Sequence, residues 1–122
     1  MWERLDSTPL RLVRDRIRRA QLVELAEQQF GDMVKAVVDV ERAIMVIGGE
    51  LHSDEEAMLL EDGSRQANLW GINLYPTDSS ESWIEFDSMI NVRPAQGNRS
   101  RGVADAALRE RIRRIVERLV VE

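Results

Sequence analysis

The chain has no cysteine, one histidine (His52) and one lysine (Lys35) in its 122 residues. The lack of cysteine excludes disulfide bonds, thiolate zinc sites and cysteine nucleophiles. A serine hydrolase is poorly supported, because there is no Gly-x-Ser-x-Gly turn and only one histidine to act as a base. No apolar run approaches the roughly 18 residues of a transmembrane helix. The sequence therefore predicts a soluble, cytoplasmic protein that has no membrane partner.

Basic residues are also scarce in the middle of the chain. Residues 48–87 carry ten acidic side chains and one basic one, whereas residues 88–122 carry four acidic and eight basic ones. The net charge is −5. A negative chain repels nucleic acid at long range, which argues against a nucleic-acid partner. The acidic middle segment is where the sequence places candidate chemistry.

The length fits one domain. Residues 1–9 lack the apolar core of a signal peptide and are predicted to form an N-terminal tail, with residues 10–122 as a single domain. Hydrophobic periodicity predicts the order β-α-β-β-α-β-β-α. Such an order indicates an α+β fold, a mainly antiparallel sheet with helices packed on one face.

The predicted elements are set by caps, glycines and β-branched runs. The first strand is predicted in residues 10–17, followed by a helix at about 19–30 and a hairpin at 33–47. A short helix then begins with Ser53 as N-cap and Glu56 at N3. Two strands at 69–75 and 83–92 follow, and Asp105 caps the last helix.

The hairpin at 33–47 carries apolar residues on both faces. Val34 and Val38 lie on one side of the first strand and Val37 on the other, and the second strand is apolar throughout. Such a sheet is either covered twice or completed by another subunit. A homo-oligomer, with a dimer favoured, is therefore predicted.

The first candidate site is a metal site at Glu50 and His52. With Asp54 these residues alternate along the chain, so they would share a face if the segment were extended, and carboxylate and imidazole groups are ligands for divalent cations. The alternative is that the acidic residues after Ser53 stabilise the start of a helix. That alternative explains Asp54 better than it explains Glu50 and His52.

A second candidate site lies on the polar face of the strand at 83–92. Pairing Tyr75 with Trp83 would set Asn73 opposite Glu85. Paired carboxylates beside an arginine suit acid and base chemistry or a divalent cation. The alternative is an ordinary solvated sheet face. Together with the first candidate this polar site comprises Glu50, His52, Asn73, Tyr75, Glu85, Asp87, Asn91 and Arg93.

A third candidate is the loop 94–102, which precedes the last helix. Two arginines, side-chain donors and glycines suit an anion site. Asp105 at the helix N-cap would repel a phosphate there, and the alternative is a surface loop whose arginines pair with the acidic segment. The anion-binding candidates are Gln96, Gly97, Asn98, Arg99, Ser100 and Arg101.

Several segments together resemble a known family. They are residues 31–41, 48–52, 69–73, 90–94 and 97–103. Across about residues 10–121 the chain is similar to a small prokaryotic family catalogued only as a domain of unknown function. The resemblance implies no reaction, ligand or catalytic residue. Ala43 stands where that family would have a glycine at the hairpin turn.

Two functions are compatible with these patterns. The first is a non-enzymatic binding or interaction module that self-associates and binds an anionic ligand or partner through the loop 94–102. The second is a small metal-dependent hydrolase or phosphoesterase-like enzyme, in which a divalent cation is the cofactor and Arg99 or Arg101 holds a substrate phosphate. The second requires convergence of Glu50, His52, Glu85 and Asp87.

Overall fold

The computed structural model describes residues 10–122, so the tail predicted for residues 1–9 lies outside the described residues. Within this range the chain forms three α-helices and seven short β-strands. The helices are α1 (Arg19–Gln28), α2 (His52–Glu61) and α3 (Ala106–Leu119). The strands are β1 (Arg11–Val13), β2 (Ile17–Arg18), β3 (Val34–Asp39), β4 (Ile44–Ile47), β5 (Leu69–Leu74), β6 (Ile84–Glu85) and β7 (Val120–Val121).

Five strands form one antiparallel sheet in the order β1-β4-β3-β5-β6. Its centre is the predicted hairpin of β3 and β4, in which Val37 pairs with Val46. Strand β5 runs along the other side of β3. The remaining two strands, β2 and β7, pair in parallel and join the start of α1 to the end of α3. The α+β class and the mainly antiparallel sheet predicted from the sequence are confirmed.

Apolar side chains fill both faces of the sheet. Val34, Ala36 and Val38 of β3 pack in one core with α1 and α3, whereas Val37 packs on the opposite face with Leu59 of α2. The helices therefore lie on both faces and not on the single predicted one. Because these hairpin side chains are buried inside the same chain, they offer no face to a second subunit. Self-association stays a prediction.

The last helix follows its prediction closely. Asp105 accepts a hydrogen bond from the backbone N–H of Ala107 over 2.9 Å, as an N-cap does. The side chains of Ile112, Val116 and Leu119 are buried along one stripe. No helix in residues 10–122 combines the length and the apolar character needed to cross a membrane.

A buried carboxylate holds the turn of the hairpin. Asp39 Oδ1 accepts hydrogen bonds from the backbone N–H groups of Glu41 and Arg42, each over 2.9 Å. Asp39 Oδ2 accepts a hydrogen bond of 2.6 Å from the Ser64 hydroxyl. Ala43 ends the turn with φ of +57°. This left-handed conformation is unfavourable for a residue with a Cβ atom, so the carboxylate supports a turn that a glycine would make without strain.

Replacing Ala43 by glycine is expected to raise the free energy of unfolding by about 0.5–1 kcal/mol. Glycine removes the left-handed strain, and its greater freedom in the unfolded chain offsets part of the gain. Urea unfolding measures the change. Ala57→Gly in the middle of α2 is the matched control, because the same exchange in a helix should cost about 1 kcal/mol. If both variants raised the free energy of unfolding, or both lowered it, left-handed strain at Ala43 would not be the cause.

The start of α2 departs from its prediction. The helix begins at His52, one residue before the predicted N-cap Ser53, and Leu51 at the N-cap makes no side-chain hydrogen bond. Glu55 turns inward and its Oε2 accepts the N–H of Gly49 over 2.9 Å. The predicted capping box of Ser53 and Glu56 is therefore wrong. The side chains of His52 and Glu55 make interior contacts, and the helix starts early enough to place Ser53 inside its first turn.

The strand predicted at 83–92 is much shorter in the structure. Only Ile84–Glu85 pairs with β5, and a 3₁₀ turn follows at Met89–Asn91. The chain crosses over β5 here, because Gly71 has no side chain to prevent it. A Cβ atom at Gly71 would lie 2.6 Å from the Cβ of Ser88. The first predicted strand is likewise divided, into β1 and β2.

Candidate functional site

A cavity of about 500 Å³ opens on the face of the sheet that α2 covers. The first residues of α2 form one wall, and strands β3, β5 and β6 form the floor. The segment after β6 and the end of the loop 94–102 complete it. The apolar lining is Met33, Leu51, Met89 and Ile90, and the polar lining is Lys35, His52, Ser53, Asn73, Tyr75, Glu85, Asp87, Ser88 and Arg101.

Three paired residues form a row across the floor of this cavity. The strand register places Lys35 opposite Asn73, and Asn73 opposite Glu85. Directly paired residues of antiparallel strands point to the same face of a sheet. The pairing of Asn73 with Glu85 that the sequence predicted is confirmed. The row runs from a cation through an amide to a carboxylate.

The carboxylate of Glu85 is held by two donors. Asn73 Nδ2 donates to Glu85 Oε1 over 2.9 Å, and the Tyr75 hydroxyl donates to the same oxygen over 3.1 Å. Asn73 Nδ2 also donates to the backbone oxygen of Asp87 over 3.2 Å. Burial and the bond to Glu85 raise the pKa of Tyr75. The Tyr75 hydroxyl therefore keeps its proton at neutral pH and serves as a donor.

Within residues 10–122 the other end of the Asn73 amide has no hydrogen-bond partner. Asn73 is 5% exposed, and its Oδ1 accepts no hydrogen bond within residues 10–122. Its orientation is settled by its neighbours, since Nδ2 faces two acceptors. A buried polar atom left without a partner costs about 1–3 kcal/mol. Within the described residues this oxygen is therefore an unpaired acceptor closed to solvent, and Asn73 acts at the cavity through Nδ2.

His52 contributes a neutral imidazole to the cavity wall. Its Nε2 lies 2.8 Å from the backbone oxygen of Ile72. Since that oxygen only accepts, Nε2 carries the proton and Nδ1 keeps its lone pair. Burial lowers the pKa of His52, against the opposing effect of the Ile72 bond. The ring therefore stays uncharged at neutral pH and has an acceptor at Nδ1.

Arg101 and Asp87 form an ion pair at the cavity edge. Arg101 Nε donates to Asp87 Oδ1 over 2.7 Å. The two side chains are 57% and 42% exposed, so the pair contributes only about 0–1 kcal/mol to stability. Its larger consequence is electrostatic, because the two charges cancel within the lining.

The eight residues of the predicted polar site divide into two groups. His52, Asn73, Tyr75, Glu85 and Asp87 line the cavity. Glu50, Asn91 and Arg93 do not.

The three outlying residues have other environments. Glu50 is exposed. Asn91 is fully buried, and its side chain binds the backbone of Gly71. The guanidinium of Arg93 lies 4.2 Å from the centre of the Trp70 ring. It also donates to the backbone oxygen of Ile90 over 3.0 Å. Asn91 and Arg93 therefore hold the fold together at the edge of β5.

The predicted anion loop is also divided. Asn98 is buried and its Nδ2 donates to the backbone oxygen of Asn91 over 2.7 Å. Gln96 donates to the backbone oxygen of Ala67, away from the cavity. The Ser100 hydroxyl accepts the N–H of Gly102, and Gly97 and Arg99 do not line the cavity. Of the six candidates, Arg101 alone reaches the cavity.

The predicted metal site is not assembled. In the part of the chain that the structure describes, no three His, Asp or Glu side chains form a group able to hold an ion. Glu50 lies in the loop before α2, and the helix that begins at His52 removes the extended geometry on which the prediction depended. His52, Glu85 and Asp87 line one cavity but do not converge on one point.

Lys35 was missed by the site predictions. The sequence predicts it only as part of the hairpin, where its neighbours are Val34, Ala36, Val37 and Val38. A lone charged residue in such an apolar run must reach water or a polar cavity. That interruption was the signal, and the sheet register turns Lys35 towards the cavity.

Comparison with known proteins identifies a family without a known activity. No curated protein and no solved structure matches the chain. Residues 11–119 match the sequence family described as "Protein of unknown function (DUF5674)". That range includes every residue that lines the cavity. The chain belongs to this family of proteins of unknown function.

Proposed function

We propose that the chain is a non-enzymatic binding module that takes a small polar molecule into the cavity beside α2. The observation that carries the proposal is the convergence of polar side chains from distant parts of the sequence on one cavity of about 500 Å³. Lys35, His52, Glu85 and Arg101 come from separate segments, on β3, α2, β6 and the loop. Ligand sites of about 300–1,000 Å³ with a few polar groups are typical of small-molecule binding.

Apolar residues at the cavity support a ligand that is not wholly polar. Leu51 is 58% exposed and Met89 is 66% exposed, and both belong to the lining. A contiguous exposed apolar patch rimmed by polar residues marks a binding site, and these two side chains line the same cavity. Contact with a ligand would remove them from water and would stabilise the complex by roughly 25 cal/mol per Å² of apolar area buried.

Binding is preferred to metal-dependent hydrolysis because of how the polar groups are held. Within the described residues no metal-binding group forms. His52 Nε2 is committed to a backbone oxygen, and Glu85 accepts two hydrogen bonds from its neighbours. Such fixed donors and acceptors suit recognition of a ligand.

Replacing Ser53 by phenylalanine is expected to abolish ligand binding. Ser53 is exposed and lines the cavity, so the ring would occupy ligand space while the fold keeps its core. A library of charged and polar metabolites is screened by thermal unfolding. A compound at about 100 times its dissociation constant adds roughly 2.7 kcal/mol to the wild type, and this shift should vanish in the variant.

Ala57→Phe is the matched control for this experiment. Ala57 lies one helical turn after Ser53, is also exposed and does not line the cavity. Compounds that stabilise the wild type and Ala57→Phe, and leave Ser53→Phe unchanged, are expected. A library without any stabilising compound, or with compounds that stabilise Ser53→Phe equally, would contradict the proposal.

A further inference from the structure

The charges around the cavity are balanced and separated. Lys35 and Arg101 are cationic, Glu85 and Asp87 are anionic, and burial keeps the pKa of His52 low enough for a neutral ring. Arg101 and Asp87 bind each other at 2.7 Å. Among the described residues that line the cavity, one cation and one anion therefore remain for a ligand, Lys35 at one end of the floor and Glu85 at the other.

Each of these two groups is open to a ligand of opposite charge. The ammonium of Lys35 lies 5.4 Å from the centre of the Phe30 ring, and no carboxylate of residues 10–122 forms a salt bridge with it. Glu85 takes both protein donors on Oε1. A ligand ammonium can therefore bind the other carboxylate oxygen.

The amide between the two charges fixes the anionic end. Asn73 stands between Lys35 and Glu85 in the cross-strand row, and its Nδ2 donates to Glu85 Oε1 over 2.9 Å. The Tyr75 hydroxyl donates to the same oxygen, so the carboxylate is held in one orientation at the cavity. An ammonium group carries three donors and suits such a carboxylate. A ligand with only an anionic group would gain nothing from this end of the floor.

We propose that the ligand is a zwitterion of amino-acid or dipeptide size, a proposal that rests on the binding function above. Its ammonium binds Glu85, its anionic group binds Lys35, and its apolar part contacts Leu51 and Met89. Lys35 and Glu85 are two strand spacings apart, about 10 Å between their backbones. Because both side chains extend into the cavity, ligand charges several ångströms apart fit between them.

Isothermal titration calorimetry with four leucine-related probes tests whether the ligand is a zwitterion. L-leucine and glycyl-L-leucine carry both charges, L-leucinamide carries the ammonium only, and 4-methylpentanoate carries the carboxylate only. At least one zwitterion is expected to bind about tenfold or more tightly than either single-charge probe, because each lost charged hydrogen bond costs about tenfold in affinity. Ser53→Phe should bind none of them.

Two variants should change selectivity in opposite directions. Glu85→Gln removes the partner of the ammonium, so the zwitterion should lose its advantage over 4-methylpentanoate. Lys35→Met removes the partner of the carboxylate, so the zwitterion should lose its advantage over L-leucinamide. Asp54→Asn is the control for general charge effects, because Asp54 is exposed on α2 and does not line the cavity. Its selectivity should match the wild type.

The outcomes separate this inference from the binding function. Single-charge probes that bind as tightly as the zwitterions, and lose binding in Ser53→Phe, would overturn the zwitterion and leave the binding function in place. Equal selectivity in the wild type, Glu85→Gln and Lys35→Met would also overturn it. Absence of zwitterion binding, together with a screen in which other compounds bind at the cavity, would reject the ligand class alone. Failure of every compound would reject both proposals.

Discussion

Replacing Asn91 by alanine is expected to lower the free energy of unfolding by about 3–5 kcal/mol. The Asn91 side chain is fully buried. Its Oδ1 accepts the N–H of Gly71 over 2.8 Å, and its Nδ2 donates to the Gly71 oxygen over 3.0 Å and to the Arg101 oxygen over 2.9 Å. At Gly71 the Asn91 side chain therefore makes the hydrogen bonds that a neighbouring strand would make, because β6 pairs only with Asn73 and Leu74. Alanine would leave these backbone groups without partners, at about 1–3 kcal/mol each.

Urea unfolding of Asn91→Ala and Asn68→Ala provides a matched comparison. Asn68 Nδ2 donates over 2.8 Å to the carboxylate of Glu41 in an exposed pair, so its loss should cost less than about 1 kcal/mol. A cost for Asn91→Ala no larger than that for Asn68→Ala would show that the amide does not hold the segment after β6 on the sheet.

The role of Asn91 shows why the sequence could not separate site residues from structural ones. The sequence predicts a polar strand face that includes Asn91 and Arg93, because the apolar residues of this segment alternate with polar ones. These apolar residues are Ile84, Phe86, Ile90 and Val92. That alternation breaks at Ser88, whose hydroxyl accepts the N–H of Ile90 in a 3₁₀ turn. The break depends on the missing side chain of Gly71 on another strand. The hydrophobic periodicity of one segment cannot predict a contact with another strand.

Other parts of the fold followed from local physics. The β-branched runs of β3 and β4 and the apolar stripe of α3 each reflect one dominant burial pattern, and the structure has them at the predicted places. The start of α2 differs because Ser53 is a good cap in isolation, whereas packing draws His52 to Ile72. Tertiary contacts of this kind override a preference worth about 1 kcal/mol.

The candidate site was predictable only where a strand pairing defined it. Pairing Tyr75 with Trp83 brought Asn73 to Glu85, and the structure has that pairing, with the Tyr75 N–H donating to the Trp83 oxygen over 2.8 Å. Lys35 belongs to the same row through β3. No tight turn fixes the register between β3 and β5, because β4 and α2 lie between them in the sequence. The sequence therefore did not connect Lys35 with the site.

Replacing Glu55 by glutamine is expected to increase stability at alkaline pH and to leave it nearly unchanged at acidic pH. Burial raises the pKa of Glu55 well above its ordinary 4.5, against the opposing effects of the Gly49 N–H and Lys35. Because the folded pKa lies above the unfolded one, the stability due to the neutral group is fully present below about pH 4.5 and is lost as pH rises through the folded pKa. Glutamine stays neutral throughout and can still accept the Gly49 hydrogen bond.

Urea unfolding from about pH 4 to about pH 9 measures this effect, with Glu56→Gln as the control. A raised pKa in the folded state lowers the free energy of unfolding of the wild type as pH rises, so the advantage of Glu55→Gln over the wild type should grow steadily from the acidic to the alkaline end of this range. Glu56 is the next residue of α2 and is only partly buried, so Glu56→Gln should follow the wild-type curve. A wild type that gains stability relative to Glu55→Gln as pH rises would show that the buried carboxylate is stabilised as an anion.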